Sequence, residues 1–211
     1  MKSVFFDIGE TLIDETRDWS VVADWLGVPR MTLFVVLGSL IQQDRDHREV
    51  FDIVSPKVGW KGVSEHFRND ARLPYLPEDL YPDVRPALEK LRQQGYFVGI
   101  AGNQPVERER DLTAMNLPAD LIATSGGWGL NKPDRKFFER VVSEARCEPG
   151  EIAYVGDRVD NDVLPAAAAG LAAIHLIRGP WGYIQRDWPG VTRARAQVSS
   201  LAELPELLPR L

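Results

Sequence analysis

The sequence is poor in cysteine and histidine, has no long apolar run, and carries no surplus of positive charge. Cys147 is the single cysteine among 211 residues. A lone cysteine excludes an intrachain disulfide framework and suits a reducing compartment. Its sequence neighbours offer nothing to activate the thiol, so it reads as a residue near a helix end. The histidines, His47, His66 and His175, are scattered without metal-ligand spacing. They read as structural or exposed side chains rather than zinc ligands. No apolar run approaches the roughly 20 residues of a membrane span. Lys2 leads straight into a strand pattern, without a long apolar leader. The expectation is a cytoplasmic protein with no membrane contact. Net charge is −6, and "RARAQ" near the C-terminus is too little to reverse it. Phosphate-backbone contacts need clustered Lys and Arg, so no nucleic-acid partner is expected. Neither a Gly-x-Ser-x-Gly elbow nor a Walker-type loop occurs.

The chain does have an ordinary apolar fraction, 44%, enough for a core and about one domain with a modest insertion. Short, nearly continuous apolar runs alternate with helical patterns. "SVFFD" ends at Asp7, "YFVGIAG" covers 96–102, "LIAT" 121–124, "IAYVGD" 152–157 and "AAIHLI" 172–177. Continuous rather than alternating apolar runs predict strands covered on both faces. Between them lie helix candidates. "DVRPALEKLRQQG" offers Asp83 as N-cap and Gly95 as stop, and "PDRKFFERVVSEAR" starts at Pro133 and Asp134. "DNDVLPAAAAG" reads as a short helix closed by Gly170, and "LAELPELLPRL" as a helix broken by Pro205. Asp160 reads as a cap for the helix that follows it. The pattern predicts an α/β fold, a doubly wound, Rossmann-like parallel sheet with helices on both faces.

Residues 16–80 break this rhythm. "DWSVVADWLG", "RMTLFVVLGSLIQQD", "REVFDIV" and "WKGVSEHFRND" read as helices with no strand between them. They predict a helical insert, with the core formed by 1–15 and 81–211. Trp19, Trp25, Phe34, Phe51, Trp60 and Phe67 are expected to pack the insert's own small core.

Ligands of a doubly wound sheet bind off the carboxyl ends of its strands. Asp7 ends the first run and Gly102 and Asn103 end the second. Lys132 follows the third, and Asp157 ends the fourth with Asp160, Asn161 and Asp162 just beyond. Acids and a lysine in this placement fit phosphoryl or acyl transfer through a carboxylate. Asp7 could attack an electrophile and form a covalent intermediate. Asp157 and the main-chain carbonyl of Gly9 could complete an oxygen-only Mg²⁺ site, and Lys132 could neutralise phosphoryl oxygens. "SGGWG" at 125–129 is a weak phosphate signal and reads as a flexible entry to the lysine loop.

The residues quoted also resemble a known family. "FFDIGETL", "GGWGLNKPDRKFFERV" and "YVGDRVDNDVLPAAAAG" look like the first, lysine and acidic motifs of the haloacid dehalogenase (HAD) superfamily of hydrolases. The resemblance covers residues 2–14 and about 83–208, and the insert has the place and length of a small helical C1-type cap. It implies Asp7 as nucleophile and Lys132 as the lysine that balances phosphate charge. Asp157 is implied as a metal ligand, Asp162 as the second acid of the metal site, and Thr11 as structural. It also implies Mg²⁺ and a small phosphorylated substrate, handled by a monomer or homodimer.

Two positions depart from the family pattern. Gly9 stands where phosphatases of the family place an acid/base Asp, and Gly102 where the second motif has a hydroxyl residue. A glycine carbonyl can still bind metal, but it can neither protonate a leaving oxygen nor activate water. The main-chain N–H of Gly102 and Asn103 are candidates to replace the lost hydroxyl in substrate binding. Several readings follow. The missing acid could come from Glu10, from insert residues such as Arg45, His47 or Arg48, or from the substrate. The leaving group could need no proton, as in dehalogenation, although Asp157 argues against that. Phosphonate cleavage would need an insert lysine, for which Lys57 and Lys61 are placed by position only. The chain could also be a binding or regulatory module without turnover. Arg17, Trp19, Arg45 and Arg48 are the candidates for setting specificity.

Overall fold

The structure is a computed structural model, and it describes residues 1–67 and 73–211. These fall into two compact units, Met1–Asp14 with Tyr75–Leu211, and Glu15–Pro74.

The first unit is built on one sheet. Its strands are β1 (Ser3–Phe6), β2 (Phe97–Gly102), β3 (Leu121–Thr124), β4 (Ile152–Gly156), β5 (Ala172–Leu176) and β6 (Ala196–Val198). All neighbours are parallel, in the order β3-β2-β1-β4-β5-β6. The expected α/β, doubly wound architecture is the observed one. Strand side chains alternate between two buried layers, which is why the runs are apolar throughout. Val4, Phe6, Val98, Ile100, Ala153, Val155, Ile174 and Leu176 face one layer. That layer is closed by Val84, Ala87, Leu88 and Leu91 of α5 (Val84–Gln93) and by Leu201, Leu204 and Leu208 near the C-terminus. Phe5, Ala101, Ile152, Tyr154 and Ala173 face the other. There Phe137, Phe138, Val141 and Ala145 of α8 (Arg135–Ala145) cover them.

Several local expectations change. The edge strand β6 was not anticipated, because three residues reading Ala-Gln-Val carry no apolar run. Asp134 does cap α8, accepting from Lys136 N at 2.9 Å. Asp83 precedes α5 but makes no cap bond. Its carboxylate is instead bonded by Arg178, by Ser200 Oγ at 2.6 Å and by Leu201 N at 2.9 Å. This ties the start of α5 to the C-terminal segment. The run after β4 forms a π-helical turn, Val159–Val163, that continues into the short helix α9 (Leu164–Ala168). Pro165 sits in the first turn of α9, where a missing N–H costs little. Pro205 likewise sits in the first turn of Leu204–Leu207, so it starts a helical turn rather than breaking one.

The second unit holds α1 (Thr16–Leu26), α2 (Arg30–Gln42), α3 (Glu49–Val54) and α4 (Gly59–Phe67), with no strand among its described residues. The tail of the fourth expected helix, residues 68–70, lies outside the described residues. Trp19, Phe51 and Trp60 form a ladder of near-parallel rings with centroids 5.8 and 5.7 Å apart. Phe51 is buried, whereas Trp25 and Trp60 are exposed, so only part of the aromatic set serves as core. No single helix among the described residues is long and apolar enough to cross a membrane.

Candidate active site

Parallel pairing brings the ends of β1, β2, β3 and β4 to one edge of the sheet, and the candidate residues sit on that edge. The backbone of Asp7 extends the pairing by one residue, its N–H donating to Val155 O at 2.9 Å. Its side chain meets a lysine from far along the chain. Lys132 Nζ lies 2.5 Å from Asp7 Oδ1 and 2.6 Å from Asp162 Oδ1, and the side chains of Lys132 and Asp162 are fully buried. A flexible side chain ends there because its main chain is clamped. Asn103 Oδ1 accepts from Lys132 N, and Asn103 Nδ2 donates to Lys132 O, both at 2.8 Å. Asn103, one of the predicted substrate contacts, thus has its carboxamide engaged with the lysine loop. The entry to that loop is also more ordered than a flexible glycine run. Residues Ser125–Trp128 form a helical turn, α7, capped by Thr124, and Glu109 accepts from both Thr124 N and Thr124 Oγ1.

Asp157 and Asp162 frame the turn after β4. Asp162 Oδ2 accepts the N–H of Arg158 at 3.0 Å, which folds the acidic motif back on itself. Asp160 pairs with Arg158 and accepts from Gln185 Nε2 at 3.1 Å. It therefore braces the turn from within rather than capping a helix. The carbonyl of Asp157 lies 2.9 Å from His175 Nε2. Gln197 Nε2 donates to His175 Nδ1 at 3.2 Å, which leaves the ring proton on Nε2, pointed at that carbonyl. No signal in the residue order announces Asn103, His175, Gln185 or Gln197 as supports. For Asn103, His175 and Gln197 the only trace was position, in or beside a strand, and Gln185, at the end of the helix Gly179–Gln185, had none.

Carboxylate oxygens of Asp7, Asp157 and Asp162 lie within 4.8 Å of one another. Asp157 Oδ2 is buried without a hydrogen-bond partner. Burial pushes the Asp157 carboxyl well above the usual carboxylate range, and Asp162, Asp7 and Glu10 push it the same way. Burial raises Asp162 to about 6, against the pull of Lys132 and with the help of Asp7. Burial works against the Lys132 ammonium too, yet Asp162 and Asp7 outweigh it and lift its pKa well above that of an ordinary lysine. If all are ionised, three carboxylates face one ammonium, an excess of two negative charges. A small divalent cation with a preference for oxygen ligands fits that charge and the partnerless Asp157 oxygen.

Gly9 lies half-buried in the turn past β1, two residues from Asp7. Gly102 ends β2 directly beside Asp7. A Cβ there would collide with Asp7 Oδ1 and stand 3.1 Å from Ile8 N. Thr11 is buried, and its carbonyl accepts from Arg178 at 2.9 Å. The candidate residues of the second unit pair within it. Arg17 donates to Pro74 O at 2.7 Å, Arg45 pairs with Glu49, and Arg48 grips Asp46 and lies over the Trp60 ring at 5.8 Å. His47 packs edge-on to Trp19, and Lys57 and Lys61 are exposed.

Comparison with known proteins gives the family. The family of haloacid dehalogenase-like hydrolases matches residues 1–170. The chain belongs to that family. It is 30% identical over 116 residues to the glyceraldehyde 3-phosphate phosphatase of Methanopyrus kandleri, a match covering 54% of this chain and 49% of that protein. It is 25% identical to the phosphoglycolate phosphatase of Aliivibrio fischeri, over 85% of each chain. Among solved structures, a HAD hydrolase of Bacillus subtilis, YfnB, solved bound to magnesium, superposes with a TM-score of 0.70 at 16% identity. That likeness covers 98% of both chains and is one of fold.

Proposed function

We propose that the chain is a Mg²⁺-dependent hydrolase of phosphate esters or anhydrides of a small molecule, acting through a phosphoaspartate at Asp7. The observation that carries this reading is Lys132 Nζ held between Asp7 and Asp162, beside the partnerless oxygen of buried Asp157. In it, Asp7 is the nucleophile, because its carboxylate stands at the open edge of the sheet with a cation already beside it. Lys132 offsets charge on the phosphoryl oxygens, and Asn103 acts through Lys132 by fixing its main chain. Gly102, at the end of β2 beside Asp7, is kept as the proposed substrate contact. Asp7, the Gly9 carbonyl, Asp157 and Asp162 are the residues that would hold Mg²⁺. Bound there, the ion would neutralise charge between nucleophile and phosphoryl group. The helical unit Glu15–Pro74, inserted in chain order just after the strand that carries Asp7, is the proposed cap and source of specificity. Phosphatase names among the relatives support the reaction class and leave the substrate open.

Gly9 and Gly102 favour one second reading, a binding module with the same fold and no turnover. Phosphate release across a panel of phosphorylated compounds separates the two. The proposed hydrolase releases phosphate only with Mg²⁺, stops when EDTA removes it, and loses turnover in Asp7→Asn. Equal release by wild type and Asp7→Asn on every compound would leave the binding module standing.

A further inference from the structure

The surroundings of Asp7 go further than a reaction class, because they bear on how the leaving group departs. Within the first unit, positions 9 and 10, just past Asp7 in the chain, and 102, beside it, could carry a proton donor, and each is closed. Residue 9 is glycine and has no side chain to offer. Residue 102 cannot carry one while Asp7 stays in place, since its Cβ would run into Asp7 Oδ1. Residue 10 does have a carboxylate, but the fold has engaged it. Glu10 takes φ +52°, a left-handed conformation uncommon outside glycine, and its side chain is buried. Glu10 Oε2 accepts from Tyr81 Oη at 2.7 Å. Tyr81 is covered in turn by the Arg178 guanidinium at 4.2 Å, and Arg178 is fixed by Asp83 and the Thr11 carbonyl. Glu10 also packs against Gly179, where a Cβ would strike that same Oε2 and the Glu10 stem. Of the other neighbours, Lys132 is an ammonium bridging two carboxylates, and Asp157 and Asp162 are the carboxylates assigned to the proposed cation.

We infer that this site takes phosphoryl donors whose leaving group departs as a stable anion, acyl phosphates above all and aryl phosphates next, and discriminates against alkyl phosphomonoesters. The inference rests on the hydrolase reading. In the first step an Asp7 oxygen bonds to phosphorus as the bond from phosphorus to the leaving oxygen breaks. The electron pair leaves with that oxygen. A carboxylate, whose acid has an unperturbed pKa of about 4, departs without a proton, and a phenolate at about 10 does so less readily. An alkoxide needs one, and residues 9, 10 and 102 do not supply it. In the second step a water oxygen bonds to phosphorus, the bond to Asp7 breaks, and the proton of water passes to solvent. The water meets the same lack of a base, so the phosphoaspartate outlives its formation.

The test is a matched series under Mg²⁺: acetyl phosphate, aryl phosphates of graded acidity, and glycerol phosphate, each corrected for the Asp7→Asn background. The expected result is a steep fall in kcat/KM with leaving-group pKa. Glycerol phosphate should lie at least about 100-fold below the most acidic aryl phosphate, the lower range of a missing general acid. A burst of phenolate equal to the enzyme, with a phosphate adduct on Asp7 by mass spectrometry, should accompany it. Asp7-dependent turnover that is flat across the series overturns the inference and leaves the hydrolase reading intact, since an acid then acts from elsewhere in the chain. No Asp7-dependent turnover even of acetyl phosphate fails the hydrolase reading itself. Gly9→Asp, in protein with an unchanged melting curve, should raise glycerol phosphate turnover at least about tenfold and flatten the slope. An unchanged slope there would refute the assignment to residue 9.

Discussion

The carboxyl edge of the sheet and the helical unit both pair acids with basic side chains, to opposite effect. On the edge, Lys132, Asp7 and Asp162 form ion pairs whose side chains are between 1% and 10% exposed. In the helical unit, Arg30–Asp24, Arg45–Glu49 and Arg48–Asp46 pair with both partners at least 37% exposed. Exposed pairs exchange one well-solvated state for another and contribute little. A buried set cannot, so removing one member strands the others. The difference shows where charge is placed at a cost in stability, which is where chemistry is expected.

The largest test of this contrast is Lys132→Met in metal-free protein. It leaves buried carboxylates without their cation and should lower unfolding free energy by about 3–5 kcal/mol in urea titration. Added Mg²⁺ should restore part of that. Recovery by EDTA instead would contradict the proposed cation site. Next is Asn103→Ala, which frees the main-chain donor and acceptor of Lys132 and should cost about 1–3 kcal/mol. Activity should fall further than stability explains, because the lysine loses its fixed start point. A smaller effect concerns pH. Burial alone would raise the Asp83 carboxyl, but Ser200 and Arg178 hold it below the usual carboxylate range. Its contribution is therefore present above the unfolded pKa near 4 and disappears as pH falls through the lower folded value. Asp83→Asn should lower the melting temperature at pH 7 and flatten its acid-side slope, with wild type and variant converging at low pH. The smallest effect is Arg45→Ala, which should change stability by no more than about 0.5 kcal/mol. A loss above 2 kcal/mol would end the distinction between the two regions.

Much of this was legible in the residue order, and physics explains which part. Asp7 and Asp157 stood out because each ends an apolar run that a parallel sheet must bury, and a charge tolerated there lies at the sheet edge. Lys132 was legible as a loop residue after the third run. Its bridging of Asp7 and Asp162 was not, because that depends on a clamp by Asn103 and on strand order. Asp83 was misread because a carboxylate before a helix is usually a cap, and here Arg178 and Ser200 compete for it through tertiary contact. Asp160 was misread for the same reason, with Arg158 and Gln185 as competitors. β6 escaped because an edge strand of three residues needs no apolar run. The glycines at 125–129 suggested mobility, whereas Thr124 and Glu109 order them.

The strand order β3-β2-β1-β4 has a consequence in time. Lys132 lies 125 positions after Asp7, and Asp162 a further 30. Asp7 is thus synthesised well before the partners it meets in the fold. Until the loop after β3 is made the nascent chain has the Asp7 carboxylate without Lys132, and until β4 joins β1 it has neither companion acid. Premature termination before residue 157 would leave fragments without a site. The buried charge cluster is therefore completed late in synthesis, and contacts of such long sequence separation slow folding.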